Sequence, residues 1–177
     1  MVMKKMFVIA SMAAAISMSA ASVYAGGAGQ VNFAGTITDA GCTITNTVSN
    51  PLNVNLGTYS SKEFTKSGDA TAKSSFKISL SDCPDTVTKA SVIFDGTPDS
   101  NNTNLLKLTQ DDGVATGVAI QLYDISGAEL PLFTASKSYT LASGTNDLSF
   151  MAAYKSTAAT VTAGPANAVA NFSISYN

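Results

Sequence analysis

Short runs in which apolar and polar residues alternate recur from residue 30 to the end of the chain, and they constrain the fold more than any other feature. Alternation places every second side chain on the same face of an extended strand. The strand-like runs are residues 42–46, 52–56, 75–83, 90–95, 104–110, 118–124, 139–141, 148–154 and 168–176, and turn-forming Gly, Asn and Asp residues lie between many of them. No amphipathic stripe of helical period appears. The sequence therefore predicts one all-β domain built as a β-sandwich.

The first 25 residues are predicted to be a cleaved signal peptide. Lys4 and Lys5 precede a small, apolar segment from Met6 to Ala20, and Val23-Tyr24-Ala25 resembles a small-residue cleavage site. A transmembrane anchor is the alternative, but serines dilute the apolar run and no basic stop-transfer flank follows it. Removal of residues 1–25 leaves enough chain for one domain with its own core.

Several side chains on which catalysis, metal binding and nucleic-acid binding commonly depend are absent from the sequence. The 177 residues include no His, Arg or Trp, and the formal net charge is −2. Without His, Ser-His-Asp and Cys-His catalysis and His-ligated zinc or copper sites are excluded. A basic footprint for nucleic acid or anionic membranes is also missing. We expect a structural or binding protein, without enzymatic activity, cofactor or metal; a small periplasmic enzyme would have only carboxylates, Lys and Tyr for acid–base work.

Two acidic segments are better interpreted as turns than as sites. Residues 99–110 carry oxygen-bearing side chains at alternate positions, as a calcium loop does. Asn104, however, stands where such a loop requires Gly, and Gln110 stands where it requires a bidentate Glu. Asp111 and Asp112 are adjacent, so on a strand their side chains would point to opposite faces and could not act as a carboxylate pair.

Cys42 and Cys83 are the two cysteines of the chain. In an exported protein they predict one disulfide bond, because the compartment is oxidising. Two free, buried thiols are the alternative. A disulfide between Cys42 and Cys83 would close a long loop, which should stabilise the fold by roughly 4 kcal/mol in the chain-entropy model.

Both ends of the expected mature chain carry strand-like runs. In residues 30–39 one face holds Val31, Phe33, Gly35 and Ile37. No tight turn joins this run to a hairpin partner, so it can pair with its own domain or with another molecule. The last run presents an apolar face up to the penultimate residue. It is either an ordinary core strand or an edge that accepts a foreign strand.

The order and spacing of several blocks resemble the type 1-like fimbrial subunits, or pilins, of the chaperone–usher pathway, close to the major subunits of enterobacterial fimbriae. The blocks are Val31-x-Phe33-x-Gly35-x-Ile37, Gly41-Cys42, Leu80-Ser-Asp-Cys83, Phe94-x-Gly96, Gly117-Val-Ala-Ile-Gln121 with Asp124, and Ala166 to Asn177.

This resemblance implies an incomplete immunoglobulin-like β-sandwich that lacks its final strand. Residues 26–41 would be an N-terminal donor-strand extension, and residues 42–177 the pilin domain. The donor face would be the one defined above, and Gly35 would allow close approach over a shallow part of the groove. The acceptor groove edge and chaperone contact would comprise Phe172, Ile174, Tyr176 and Asn177.

The same resemblance implies the partners and the cellular route. The partners would be identical or related fimbrial subunits, a periplasmic chaperone and an outer-membrane usher, with no nucleic acid and no membrane insertion. Export through the periplasm and donor-strand exchange would build a surface fimbria that supports cell adhesion. The alternative is a minor subunit or an adhesin that binds a carbohydrate or receptor directly. Tip adhesins of this family carry an additional receptor-binding domain, whereas one domain is expected here.

Overall fold

The computed structural model of this protein describes residues 30–35 and 41–176. The elements in chain order are β1 (Thr43–Ile44), a 3₁₀ turn (Ser61–Glu63), β2 (Ser74–Cys83), β3 (Lys89–Gly96), β4 (Val118–Asp124), β5 (Glu129–Leu130), β6 (Tyr139–Thr140), β7 (Gly144–Ser156) and β8 (Ala170–Tyr176). The predicted all-β class is confirmed.

Two antiparallel sheets make up the domain. One has five strands in the order β1-β2-β7-β4-β5, and the other has three in the order β6-β3-β8. Every strand pair among the described residues is antiparallel. The crossings between sheets bring strands distant in sequence side by side, as in an immunoglobulin-like sandwich.

The core lies between the inner faces of the two sheets. In β2 the side chains of Ile78 and Leu80 are buried, Lys77 before them is exposed and Ser79 between them is half-buried, as the alternation predicts. Aromatic rings join the sheets at the centre, where the Phe94 and Phe150 ring centroids are 5.0 Å apart in an edge-to-face arrangement.

Strand β4 departs from simple alternation because all seven of its residues are buried. Long lysine side chains cover its outer face. The Lys73 ammonium lies 4.0 Å from the centre of the Tyr123 ring, and Lys155 bonds Gln121 and Glu129. A strand that is buried along its whole length is usually apolar. Polar Gln121 can be buried in β4 because the Lys155 side chain covers it and donates a hydrogen bond to it.

Two predicted strands are wrong. Residues 52–56 and 104–110 form no strand, although both alternate in sequence. In the second segment only Leu106 makes isolated bridges, with Pro98 and Ile120. Alternation makes a segment suitable for a strand, but a strand also needs a neighbouring backbone along its length.

The loop between β7 and β8 is fixed by backbone contacts to the segment before β4. The Thr162 amide donates to the Thr116 carbonyl at 3.1 Å, and the Ala115 amide donates to the Pro165 carbonyl at 2.9 Å. The backbones approach so closely that a Cβ on Gly164 would lie 2.0 Å from the Gly113 carbonyl oxygen. These contacts hold the loop in place where it leads into β8.

Candidate functional site

Among the described residues, one edge of strand β8 has no strand paired with it. It pairs with β3 along its full length, and no other described strand lies along its second edge. Its inward-facing residues are only half-buried, whereas the β3 residues in register with them are almost fully covered; Ala90, for example, is 0% exposed. The core beneath β8 is therefore incompletely covered.

A second backbone edge faces this space. Residues 51–59 form no helix or strand, and within the described ranges none of their backbone groups joins a backbone–backbone hydrogen bond. The Gly57 amide, at a φ of 88°, donates instead to the side-chain Oδ1 of Asn55 at 2.9 Å. Val54 is half-buried and Leu56 is buried, so this segment still contributes side chains to the core. The lack of a ladder partner is the physical reason why the strand predicted at residues 52–56 is not formed.

A groove of about 450 Å³ lies between these two edges. One wall is residues 52–56 and the other is formed by Ala166, Ala168, Ala170 and Phe172. The floor is apolar and consists of Phe76, Ile78, Leu106, Ile120, Leu122 and Ala152. An apolar groove flanked by two edges that lack a backbone partner among the described residues can take an extended peptide, since hydrogen bonds at the edges and side chains on the floor can both be satisfied.

A second cavity of about 380 Å³ continues the groove beyond the start of β8. Its apolar lining includes Phe64, Val118 and Val161. Tyr154 lines both cavities, and its hydroxyl donates to the Ala166 carbonyl at 2.9 Å. A tyrosine phenol is protonated at neutral pH, so it can donate this bond. Burial, followed by the neighbouring Tyr59, raises the pKa of Tyr154 further.

The other end of β8 is anchored next to the disulfide. Cys42 and Cys83 are bonded, which confirms the predicted pairing. The Tyr176 hydroxyl donates to the Cys42 carbonyl at 3.4 Å, and its ring lies 3.4 Å from where a Cβ of Gly41 would be. The disulfide thereby fixes the residues against which the end of β8 packs.

The residues predicted for the groove edge share one face of β8. Phe172, Ile174 and Tyr176 are all half-buried, and the residues between them are exposed. The fourth predicted residue, Asn177, lies outside the described residues. So do Ile37 and the signal segment 1–25.

The described part of the predicted donor face, residues 30–35, falls outside the unit that contains the domain. Residues 30–35 are not assigned to a strand. The side chain of Val31 is 73% exposed and that of Phe33 is 94% exposed. Gly35 has no atom within 4 Å of where its Cβ would be. Two large apolar side chains thus lie in water, where a partner surface could bury them.

Sequence reasoning missed half of the groove. The edge at residues 51–59 and the cavity beyond Tyr154 depend on contacts between sheets, and local alternation does not report them. The alternating run that ends in Tyr154 showed that this side chain faces the core, but not that it reaches the opposite sheet.

The acidic segments at residues 99–110 and 111–112 contain turns, as predicted. Asp99 accepts hydrogen bonds from the backbone amides of Asn101 and Asn102 at 2.9 and 3.1 Å. Within residues 30–35 and 41–176, no group of three metal-binding side chains comes together. No helix of this part of the chain has the length and hydropathy that a membrane span requires.

Comparison with known proteins places the chain in a family. Residues 31–177 match the model of the family described as fimbrial protein. The type-1 fimbrial protein A chain of Salmonella typhi is 41% identical over 153 residues, which cover 84% of this chain and 82% of that protein.

Solved structures show the same relationship. A type I fimbria protein of Burkholderia pseudomallei is 40% identical with a TM-score of 0.60, and the match covers 78% of this chain and 91% of the other. A subunit of a chaperone–usher pilus is 27% identical with a TM-score of 0.62, covering 86% and 97%. The chain therefore belongs to the fimbrial protein family, and it is a structural fimbrial subunit, not an enzyme.

Proposed function

We propose that this subunit polymerises by donor-strand exchange into a surface fimbria that supports cell adhesion. The observation that carries the proposal is the groove between residues 51–59 and β8, where two edges without backbone partners among the described residues flank an apolar floor. An inserted strand would hydrogen-bond to the free edges and cover the floor with alternate side chains.

The donor in this proposal is the segment that precedes the domain. Residues 1–25 would be removed on export, residues 26–41 would form the extension, and residues 42–177 would form the pilin domain. Val31 and Phe33 supply exposed apolar side chains on one face. Each buried side chain of that size contributes about 1.5–3 kcal/mol, so insertion gives a substantial driving force.

Chain length favours a donor from a second copy. An antiparallel donor would end near Ala170, whereas Gly41 of the same chain lies against Tyr176 at the opposite end of β8. The seven residues of β8 span roughly 20 Å. The four peptide units between residues 37 and 41 reach at most about 14 Å. The tether is too short for a chain to fill its own groove in this direction.

Delivery by a periplasmic chaperone to an outer-membrane usher completes the proposal. The same free edge of β8 would bind the chaperone before assembly, through Phe172, Ile174 and Tyr176. Basic chaperone residues would hold the terminal carboxylate of Asn177 in a charge-assisted contact. The similarity to a subunit of a chaperone–usher pilus supports this route.

A peptide-binding experiment tests the groove. Synthetic peptide 26–40 is added to monomeric mature chain, residues 26–177, and thermal unfolding is recorded. We expect Tm to rise with peptide concentration, because a ligand that binds only the folded state stabilises it. A peptide of the same composition in scrambled order is the control. Equal Tm values with both peptides at all concentrations would contradict the proposal.

A further inference from the structure

The start of the domain carries two exposed carboxylates. The disulfide holds the Cα atoms of Cys42 and Cys83 4.2 Å apart, so the residues that flank Cys83 lie close to Gly41, where the tether from the extension joins the domain. Asp82 precedes Cys83 and Asp85 follows it in the turn before β3, and both are exposed. The ion pairs among the described residues involve neither of them. Asp82 and Asp85 therefore form an acidic end beside the tether.

Two exposed lysines lie beside the 380 Å³ cavity, at the start of β8. Ser61 and Phe64 line this cavity, and Lys62 and Lys66 belong to the same segment. Neither lysine joins an ion pair among the described residues. Lys62 and Lys66 therefore form a basic turn at this end of the groove.

The two acids of the same segment are hydrogen-bonded to its own backbone. The Glu63 carboxylate accepts a hydrogen bond from the Ser60 amide at 2.9 Å. The Asp69 carboxylate accepts hydrogen bonds from the Thr65 and Lys66 amides at 2.7 and 3.0 Å. These acids are committed to the local turn, whereas the lysine side chains are available to a partner.

The short tether would bring the acidic end and the basic turn together when a second copy fills the groove. An antiparallel donor would leave the groove beside Ala166 and Ala170, and Ala166 also lines the cavity next to the basic turn. At most about 14 Å of chain separates residue 37 from Gly41. The acidic end of the donor copy would therefore be held near the basic turn of the copy that accepts its strand.

We propose that the basic turn of one copy contacts the acidic end of the next, as a second interaction surface outside the groove. This inference rests on the proposed function, because the inserted strand brings the two surfaces together. The exposed acids at residues 111–112 would repel the acidic end, which confines the contact to the side of the basic turn. Exposed charge pairs add little affinity, but they orient two surfaces and speed their association at low salt.

Charge changes on either surface test the contact. Mature chain carrying Lys62→Glu/Lys66→Glu or Asp82→Asn/Asp85→Lys is assembled alone at about 20 mM salt. Asn replaces Asp82 because Asn tolerates its φ of 53°. Each variant would bring like charges together, so we expect its fibres to grow about three- to tenfold more slowly than those of the unmodified chain in light scattering. Lys77→Glu, in β2, is the control and should grow within about twofold of the unmodified chain.

A mixture of the two variants gives the decisive result. In an alternating array the changed turn of one variant meets the changed end of the other, and the natural turn meets the natural end. An equimolar mixture should therefore grow within about twofold of the unmodified chain, and about 0.5 M NaCl should remove the differences among all the chains. A mixture no faster than either variant alone would overturn the proposal, and so would single variants that grow at the unmodified rate at low salt.

Peptide 26–40 separates a failure of this contact from a failure of the proposed function. The peptide lacks the acidic end, so in about 0.5 M NaCl it should bind the unmodified chain and both variants with affinities within about twofold. If a charge-reversed variant does not fold, Lys62→Gln/Lys66→Gln should still weaken the salt dependence of growth. Peptide binding without rescue in the mixture would overturn the charged contact alone, whereas absence of peptide binding to the unmodified chain would contradict the proposed function itself.

Discussion

Asp124 stabilises the turn that joins β4 to β5. Its carboxylate accepts hydrogen bonds from the Ser126 hydroxyl and the Ala128 amide, and the Lys137 ammonium lies 3.0 Å away. The bond from Ser126, then Lys137, holds the pKa of Asp124 well below its usual range. The folded state therefore favours the charged form of this residue.

The pH dependence of this effect has a definite sign. Because the pKa is lower in the folded state, the stabilisation is present above pH ~4, the unfolded value, and is lost as the pH falls below it. We expect Asp124→Asn to lower the free energy of unfolding at pH 7 by about 1–3 kcal/mol. Urea unfolding at pH 7 and pH 3 should show a smaller difference from the unmodified protein at pH 3. Asp112→Asn, in an exposed turn, is the control; a difference independent of pH would contradict the assignment.

Substitutions at two glycines before β4 allow the cost of backbone strain to be distinguished from the cost of steric overlap. Gly113 and Gly117 have nearly equal φ values, 72° and 73°. A Cβ at Gly113 would meet nothing within 4 Å, whereas a Cβ at Gly117 would lie 2.2 Å from the Thr160 carbonyl oxygen. We expect Gly113→Ala to cost about 1–2 kcal/mol from strain alone. Gly117→Ala should cost about 1–3 kcal/mol more, as measured by urea unfolding. Equal costs would show that the loop moves away without penalty.

At the scale of secondary-structure elements, alternation predicts most of the strands. The predicted runs 42–46 and 139–141 contain β1 and β6, and the run 148–154 lies within the longer β7, whereas β5 is not predicted. Strands β2, β3, β4 and β8 begin and end within two residues of the predicted runs. Residues 52–56 alternate equally well but lack a neighbouring backbone, so hydrogen bonding decides against a strand. The β8 side of the groove could be predicted because its apolar face is local. The facing edge could not, because its position depends on packing between distant segments.

The disulfide joins Cys42, at the start of the domain, to Cys83, at the end of β2. Cys42 and Cys83 are separated by 41 positions. We expect the double variant Cys42→Ser/Cys83→Ser to lose roughly 4 kcal/mol of stability in the chain-entropy model. Urea unfolding of this variant and of the unmodified protein measures the loss. The unmodified protein unfolded under reducing conditions is the control and should lose a similar amount. Unchanged stability in both would contradict a stabilising role for the bond.

At the scale of the whole molecule, each copy would both accept and donate a strand. A mature chain lacking residues 26–35 keeps the groove but loses Val31 and Phe33 from its donor. We expect it to join growing assemblies and stop their extension, so that average fibre length in electron micrographs falls as its share of the mixture rises. Mature chain carrying Asn32→Ala, changed on the opposite face, should leave the length unchanged. Fibre lengths that ignore the truncated chain would contradict assembly by donor-strand exchange.

The short tether between the extension and Gly41 has a consequence for the symmetry of the proposed fibre. Since no copy could fill its own groove in the antiparallel direction, every antiparallel junction would join the extension of one subunit to the groove of the next. A linear array would then have one fewer junction than subunits, and all junctions would point the same way. One tip would expose a vacant groove and the other an unused extension. The two tips would be chemically different, so proteins that cap or anchor the fibre could distinguish one from the other.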